Sequence, residues 1–459
     1  MLMNSGKSPP TLTHRGGLIL LANPSFGPPD FFVYDDRLGT YTAPAFRYSD
    51  TLKAIKGLND QVMADEGSVD IGDVEGLRSY QKEAIRQWSS NAYRGIVVLP
   101  TAAGKTHIGL AAMSRLKCST LVVAPTIELV RQWKDRIERT FGVKVGMLGG
   151  GEKDILPITV STFDSAYLMA ESLGNRFRFL LVDEVHHLAS EQFRQIALMF
   201  AAPYRLGLTA TLERPDKLHE TLSEPMGGKI FEMGYEELSD YLANFRIVRI
   251  PVDLSPEEQA EYDENRRVFL TYLRRHRFSM RGPWDFERFI MSSWNPEGRE
   301  ALLAWRRSRE IAFNAEAKID NVRYVLSRHP EDKTLIFSED TETAYMISKE
   351  FLFPAITYLT PAKERKEYLD MFRSGQVRAI SSSRVLDEGI DVPDASVAVV
   401  ISGSGSSRQF RQRLGRILRP ASGKNSTLYE IVAKGTSEFH TSSRRRKGVP
   451  VGTPDSEKN

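Results

Sequence analysis

Short apolar runs, each of strand length and each separated by room for a helix, constrain this chain more than any other feature. One series falls at 95–99, 120–124, 158–161, 179–182 and 205–208, and a second at 334–337, 355–358, 379–381, 398–401 and 427–431. A run that is apolar at every position needs cover on both faces, which is the situation of a parallel strand with helices on either side. The expected class is therefore α/β, with two parallel-sheet lobes of one plan and no sequence repeat between them. At 459 residues, and about 150 residues to a unit, the chain holds more than the two lobes. The expected order is a small N-terminal α+β domain with a linker (1–72), a first lobe (73–249), a basic helical insertion (250–312), a second lobe (313–440) and a polar, largely disordered tail (441–459).

The opening residues are rich in Pro and Gly and read as frayed. Phe31-Phe32-Val33-Tyr34 and Tyr41-Thr42-Ala43 then flank a turn at Asp35-Asp36-Arg37-Leu38-Gly39, two short strands around a tight connection. Cys118 is the only cysteine, so no intrachain disulfide or Cys-rich metal site can form, and a reducing compartment fits. Beside the run Leu121-Val122-Val123-Ala124 it reads as a buried small hydrophobe. No apolar stretch approaches the ~20 residues of a membrane helix. The N-terminus also lacks a signal-peptide pattern. The expectation is a cytoplasmic protein with no membrane attachment.

The formal net charge of +3 favours no partner, but its distribution does. Between Arg266 and Arg309 stand eleven arginines and no lysine against four acids, a local charge of +7 that suits a polyanion. Arg274, Arg275 and Arg277 are expected to meet nucleic acid, and the aromatics among them offer stacking faces for single strands or a duplex junction. Trp294 and Trp305 are instead expected to pack in a core.

Ile96-Val97-Val98-Leu99-Pro100-Thr101-Ala102-Ala103-Gly104-Lys105-Thr106 reads as strand, loop and helix start. The N–H groups of such a loop, Thr101 to Thr106, converge on one concavity, and the following helix adds the positive end of its dipole. Lys105 brings a mobile charge to β- and γ-phosphates, and the Thr106 hydroxyl can ligate Mg²⁺. The first glycine of a strict phosphate-loop pattern is replaced by Leu99. The second element is Leu180-Leu181-Val182-Asp183-Glu184, an apolar strand that ends in two acids. Ligands bind at that edge of a parallel sheet. Asp183 suits Mg²⁺, directly or through water, and Glu184 suits a base that orients and deprotonates water. His186 and His187 follow, and coupling of the phosphate site to neighbouring loops fits them better than a metal role.

These elements sit in a fixed series. Arg78-Ser79-Tyr80-Gln81 precedes the loop; Pro125-Thr126, Ser161-Thr162 and Thr209-Ala210-Thr211 follow; Asp387-Glu388-Gly389-Ile390-Asp391 and Gln412-Arg413-Leu414-Gly415-Arg416-Ile417-Leu418-Arg419 close it. The series resembles the superfamily 2 helicases over roughly 77–432, and within them the XPB helicases in their short archaeal form. Asp183-Glu184-Val185-His186-His187, Glu213-Arg214-Pro215-Asp216 after Thr211, and the basic insertion carry the closer likeness.

The resemblance implies two RecA-like lobes, ATP with Mg²⁺ as cofactors, and nucleotide contacts from Arg78, Gln81, Gln412, Gly389 and Asp391. It also implies DNA contacts from Arg214 and Asp216, with Pro215 in place of the family's Glu. Asp387 would couple ATP to nucleic acid, as would His186, Thr209 and Thr211. Arg416 and Arg419, three apart on one helical face, would meet the γ-phosphate as arginine fingers. Pro125, Thr126, Ser161, Thr162, Ser402 and Gly403 offer small groups for a phosphate backbone without reading sequence.

The expected activity is an ATP-dependent 3′→5′ DNA helicase or translocase in nucleotide excision repair. Its substrate would be single-stranded, forked or bubble DNA, and its partner a structure-specific nuclease. Two alternatives stand: an RNA helicase, and a slow ATP-switched DNA-binding module serving that nuclease. Ala102, where such helicases commonly carry Gly, leaves room for the second.

Overall fold

The computed structural model describes residues 9–445, apart from 25–26, 65–66, 102, 214–215, 235–236, 239–240, 242–243, 281, 384–394, 404–409, 411–412 and 414–424. Two compact units divide between Gly234 and Tyr235.

The first unit opens with β1 (Thr11–Arg15), β2 (Leu18–Ala22), β3 (Val33–Asp35), β4 (Thr40–Pro44) and β5 (Asn59–Gln61), a sheet ordered β3-β4-β2-β1-β5. β3 and β4 are the expected hairpin. Within the stretch read as frayed, Thr11–Ala22 is a hairpin too: Arg15 pairs with Leu18 across Gly16-Gly17, both at positive φ. A two-residue turn of that hand matches the twist of antiparallel strands and favours glycine at both positions. Leu12, Ile19 and Leu21 alternate inward, and Ala201 from the neighbouring layer closes this small core.

β6 (Arg94–Val98), β7 (Thr120–Ala124), β8 (Gly146–Gly149), β9 (Glu152–Lys153), β10 (Ile158–Thr162), β11 (Phe179–Asp183), β12 (Tyr204–Thr209) and β13 (Lys229–Glu232) form the larger sheet, ordered β13-β6-β12-β11-β7-β10-β8-β9. Its pairs are parallel except β8 with β9. All five expected strands of the first lobe are present. One face buries Ile96, Val98, Leu121, Val123, Leu180 and Val182 in a single cluster. Cys118 is buried beside this sheet, and burial pushes its thiol up to about 12.

In the second unit β14 (Asn244–Val252), β15 (Thr334–Ser338), β16 (Ala355–Ile356), β17 (Ala379–Ser383), β18 (Val397–Val400) and β19 (Asn425–Ala433) run in the order β14-β19-β18-β15-β17-β16, all pairs parallel. The first lobe was expected to reach 249, but β14 pairs with β19 along its whole length, which places 244–249 in the second sheet. β14 is an edge strand, which is where Pro251 is tolerated without breaking a ladder.

The insertion also belongs to this unit. Its helices are Pro256–Arg275, Pro283–Met291 and Pro296–Phe313. Ser255 opens the first with a reciprocal cap: its hydroxyl accepts from the Glu258 N–H at 3.1 Å, and Glu258 accepts from the Ser255 N–H at 2.9 Å. Phe269, Tyr272, Leu273, Phe289, Ala301 and Leu302 form its own core, while Tyr262, Ile311 and Ala312 join the core of the second sheet.

Two further expectations are corrected. Trp305 packs on Phe286 with ring centres 4.9 Å apart, as expected, but Trp294 is 90% exposed. It ends a short 3₁₀ turn between two helices, outside the ridge that fills this core. The polar tail was expected from 441, yet helix Ser437–Arg445 continues through it. Ser442 is buried and donates to Glu430 Oε2 at 2.7 Å, so the tail's first residues are tied to β19. Residues 446–459 lie outside the described residues.

Candidate active site

Strand register brings the site together. In the first sheet Val98 lies opposite Thr209, Asp183 opposite Leu208, and Ala124 opposite Thr162. The segments that follow β6, β7, β10, β11 and β12 therefore leave from one edge, the C-terminal edge where ligands of parallel sheets bind.

After β6 the chain runs through Leu99, whose N–H donates to Thr209 O at 2.9 Å, to Gly104. Gly104 has φ of +74°, which favours glycine, and a side chain there would start 2.5 Å from Gln81 Nε2 and displace that amide. Helix Lys105–Leu116 starts directly afterwards with no side-chain cap. The first N–H groups of a helix lack intrahelical partners, and with the dipole they form an anion site. Lys105 Nζ donates to Leu99 O at 3.3 Å, folded back along the loop. Thr101 Oγ1 is buried with no hydrogen-bond partner among the described residues. Ala102 lies outside the described residues.

Two residues on helix Ser79–Ser90 brace this loop. Tyr80 Oη donates to Ala103 O at 2.8 Å, and Gln81 Nε2 donates to the same carbonyl at 3.3 Å. Gln81 Oε1 also accepts from the Arg78 N–H at 2.9 Å. Gln81, expected as a nucleotide contact, is almost wholly buried beside the loop that its amide braces. Arg78 reaches Tyr80 Oη at 3.4 Å. Nothing in the sequence marks Tyr80 for this work beyond its place beside Gln81.

β11 delivers the acid pair. Asp183 is buried, its Oδ2 accepting from Trp133 Nε1 at 2.8 Å and its Oδ1 from the Glu184 N–H at 3.0 Å. Burial, with Glu184 beside it, pushes the Asp183 carboxyl up to about 6, while the Trp133 bond and the Lys105 charge pull the other way. Glu184 sits at φ +49°, a left-handed conformation costly for a residue with a side chain and typical of functional turns. Its Oε2 lies 3.3 Å from Thr209 Oγ1 and 3.5 Å from His186 Nδ1. Thr209 Oγ1 also donates to Thr211 O at 2.8 Å and lies 2.9 Å from His186 Nδ1. The expected coupling residues of the first unit, His186, Thr209 and Thr211, therefore form one network with Glu184.

Along the same edge, Thr126 caps helix Ile127–Phe141 and Thr162 caps helix Phe163–Leu168, each hydroxyl accepting from its own first turn. Pro125 precedes the first of these caps. Ser161 is turned fully inward, its hydroxyl donating to Thr162 O. In the second unit Ser402 is also buried; its hydroxyl accepts from the Glu339 N–H and its carbonyl from Arg413 Nη1. Gly403 follows it. The carbonyl of Ile401, one residue earlier, is held by buried Lys318, itself paired with Glu438 at 2.7 Å. Asp216 turns its carboxylate to the Leu218 N–H. Arg274, Arg275 and Arg277 are exposed at the end of helix Pro256–Arg275, with Arg275 3.2 Å from Glu297. Arg214, Asp387, Gly389, Asp391, Gln412, Arg416 and Arg419 lie outside the described residues.

The donor set fits a triphosphate and a hard cation: a helix N-terminus, a lysine held by one neutral carbonyl, hydroxyls at Thr101 and Thr106, and two carboxylates at the end of β11, one strand removed from β6. Among the described residues no group of three or more His, Cys, Asp or Glu could hold a metal on its own. A cation sharing its ligands with phosphate suits this arrangement.

Comparison with known proteins agrees with that geometry. A family model described as the res subunit of type III restriction enzymes matches residues 75–214, and one described as the ERCC3/RAD25/XPB C-terminal helicase matches 303–449. The chain is 44% identical over 422 residues to a DNA 3′-5′ translocase, XPB2, of Sulfurisphaera tokodaii, covering 90% of this chain and 95% of that one. It is 31% identical to the DNA 3′-5′ helicase XPB of Mycobacterium tuberculosis, across 81% of this chain and 63% of the other. It is 28% identical to the XPB helicase/translocase subunit of transcription and DNA repair factor IIH of Schizosaccharomyces pombe, where it spans 47% of the relative.

Proposed function

Because this chain belongs to the XPB helicase family, we propose that it is an ATP-driven DNA translocase that opens duplex DNA with 3′→5′ polarity in nucleotide excision repair. The observation that carries the reading is the convergence of Lys105, Asp183 and Glu184 on one sheet edge, with Glu184 bonded into the Thr209–Thr211 loop. Lys105 would leave the Leu99 carbonyl for the β- and γ-phosphate oxygens. Mg²⁺, held by Thr106 and Asp183, would neutralise charge on those oxygens. Glu184 would orient water in line with the γ-phosphorus and take its proton as the bond to the bridging oxygen breaks. The Thr209 hydroxyl has one proton and lies within reach of Glu184 Oε2, Thr211 O and His186 Nδ1. A change at Glu184 therefore alters what holds Thr211. In this reading Gln412, Arg416 and Arg419 complete the nucleotide site, Gly389 and Asp391 touch it, Asp387 links it to DNA, and a structure-specific nuclease acts on the opened strand.

The test is ATP turnover with single-stranded, duplex, forked and bubble DNA, and with RNA of the same sequences. DNA is expected to stimulate and RNA not; equal stimulation by RNA would make this an RNA helicase. Turnover below about 10⁻² s⁻¹ with every DNA, against roughly 1–10³ s⁻¹ for ordinary enzymes, would favour the ATP-switched binding module.

Two expected results follow from the same reading. Protons compete with the cation at Asp183, whose carboxyl is pushed up to about 6. Mg²⁺-dependent nucleotide affinity should therefore fall about tenfold per pH unit below that value and level off above it. Titration of a fluorescent ATP analogue between pH 5 and 8, with Asp183→Asn as a flat control, checks this. The insertion exposes Trp284 (79%) and Trp294 (90%) beside its arginines. Stacking of a base on an aromatic ring contributes roughly 1–3 kcal/mol. Trp294→Ala should then weaken binding of a single-stranded oligonucleotide by about 5- to 150-fold in fluorescence anisotropy. Unchanged affinity would leave that ring without a base to stack on.

A further inference from the structure

The Asp183 carboxylate is oriented from two sides, and one of them is a helix that begins at the expected DNA contact. Trp133 lies on helix Ile127–Phe141, seven positions after the Thr126 cap. At ~1.5 Å per residue that is about 10 Å along the axis. Its indole is 2% exposed and donates to Asp183 Oδ2 at 2.8 Å. The ring is wedged against Gly109 of helix Lys105–Leu116: a Cβ at Gly109 would lie 2.6 Å from Trp133 Cη2 and 3.0 Å from Leu181 Cδ2. The slot thus exists because residue 109 has no side chain. One rigid helix carries the Thr126 cap at its start and a hydrogen bond to the acid pair two turns on. If the helix shifts as a body when its N-terminus is displaced, the indole shifts with it, and the packed slot would turn that shift into rotation of the carboxylate.

We propose that Trp133 is a positioning residue that couples nucleic acid held at the Pro125-Thr126 cap to the cation-binding geometry of Asp183. This rests on the reading of the sheet edge as an ATP and DNA site. The coupling is reciprocal: whatever factor DNA adds to the affinity for Mg²⁺-nucleotide, Mg²⁺-nucleotide adds to the affinity for DNA.

The experiment measures the affinity of the full chain for a fluorescent ATP analogue with Mg²⁺, with and without saturating duplex DNA. In the wild type DNA is expected to tighten it by a factor in the usual range for linked sites, roughly 5- to 150-fold. Trp133→Phe keeps a ring in the slot and removes the N–H. It should bring that factor to within about twofold of unity while leaving Mg²⁺-free nucleotide affinity and DNA affinity unchanged. Gly109→Ala keeps the indole but displaces it, and should give the same loss, which decides the matter if Trp133→Phe fails to fold. A coupling factor that survives in the folded variants would overturn the proposal. A wild type whose nucleotide affinity ignores DNA would overturn the motor reading itself, and this proposal with it.

Discussion

Glu184→Gln is expected to lower DNA-stimulated ATP turnover by roughly 10²–10⁴-fold, the usual worth of a positioned general base, with ATP and DNA affinities close to wild type. The substitution is nearly isosteric, and the amide oxygen can still accept from Thr209 Oγ1, now 3.3 Å from Glu184 Oε2. What it loses is the capacity to take a proton from water. Backbone strain at φ +49° is the same for Gln as for Glu, so the turn after β11 should persist. Phosphate release measured beside equilibrium binding separates the two effects. A variant within about tenfold of wild-type turnover would remove Glu184 from the base role.

The parts of this site that could be read in advance are those whose evidence is contiguous. The Gly104-Lys105-Thr106 turn and the Asp183-Glu184 pair each sit at the end of an apolar run, so run length and end chemistry together placed them on one sheet edge. All ten expected strands exist, the one at 355–358 only as Ala355–Ile356, because a short, mostly apolar run has few other fates in a chain of this length. What escaped depends on partners distant in sequence. Trp133 meets Asp183 fifty positions away, and Tyr80 meets Ala103 twenty-three away. No local pattern announces either pairing.

The misplacements have the same origin. β14 carries arginines at 246 and 249 and a proline at 251, so it lacks the apolar signature of its interior neighbours. It is legible only as the edge partner of β19. Trp294 was expected in a core on grounds of size, but burial of a large ring depends on which helix ridge it occupies. Trp294 falls in a turn while Trp305 falls on a ridge. Gln81 shows how such pairings add up: its amide lies against Gly104 and bonds Ala103, twenty-two positions away.

Lys105→Ala is expected to fail earlier in the cycle than Glu184→Gln, and the pair of variants discriminates binding from chemistry. Lys105 Nζ makes a 3.3 Å hydrogen bond to a neutral carbonyl, a tether easily exchanged for phosphate oxygens. A hydrogen bond between charged groups contributes about 1.5–3 kcal/mol, so its loss should weaken ATP binding by roughly 10- to 150-fold. The lost charge should also abolish DNA-stimulated hydrolysis, because the same ammonium faces the charge that builds up as the γ-phosphoryl group leaves. Alanine favours the first turn of helix Lys105–Leu116, so the melting temperature should hold. DNA binding should remain measurable, since the expected backbone contacts leave from β7 and β10. The signature is weak ATP binding with intact DNA binding, against strong binding of both in Glu184→Gln. Full ATPase activity in Lys105→Ala would sink the assignment, because no other described lysine lies in the loop between β6 and its helix.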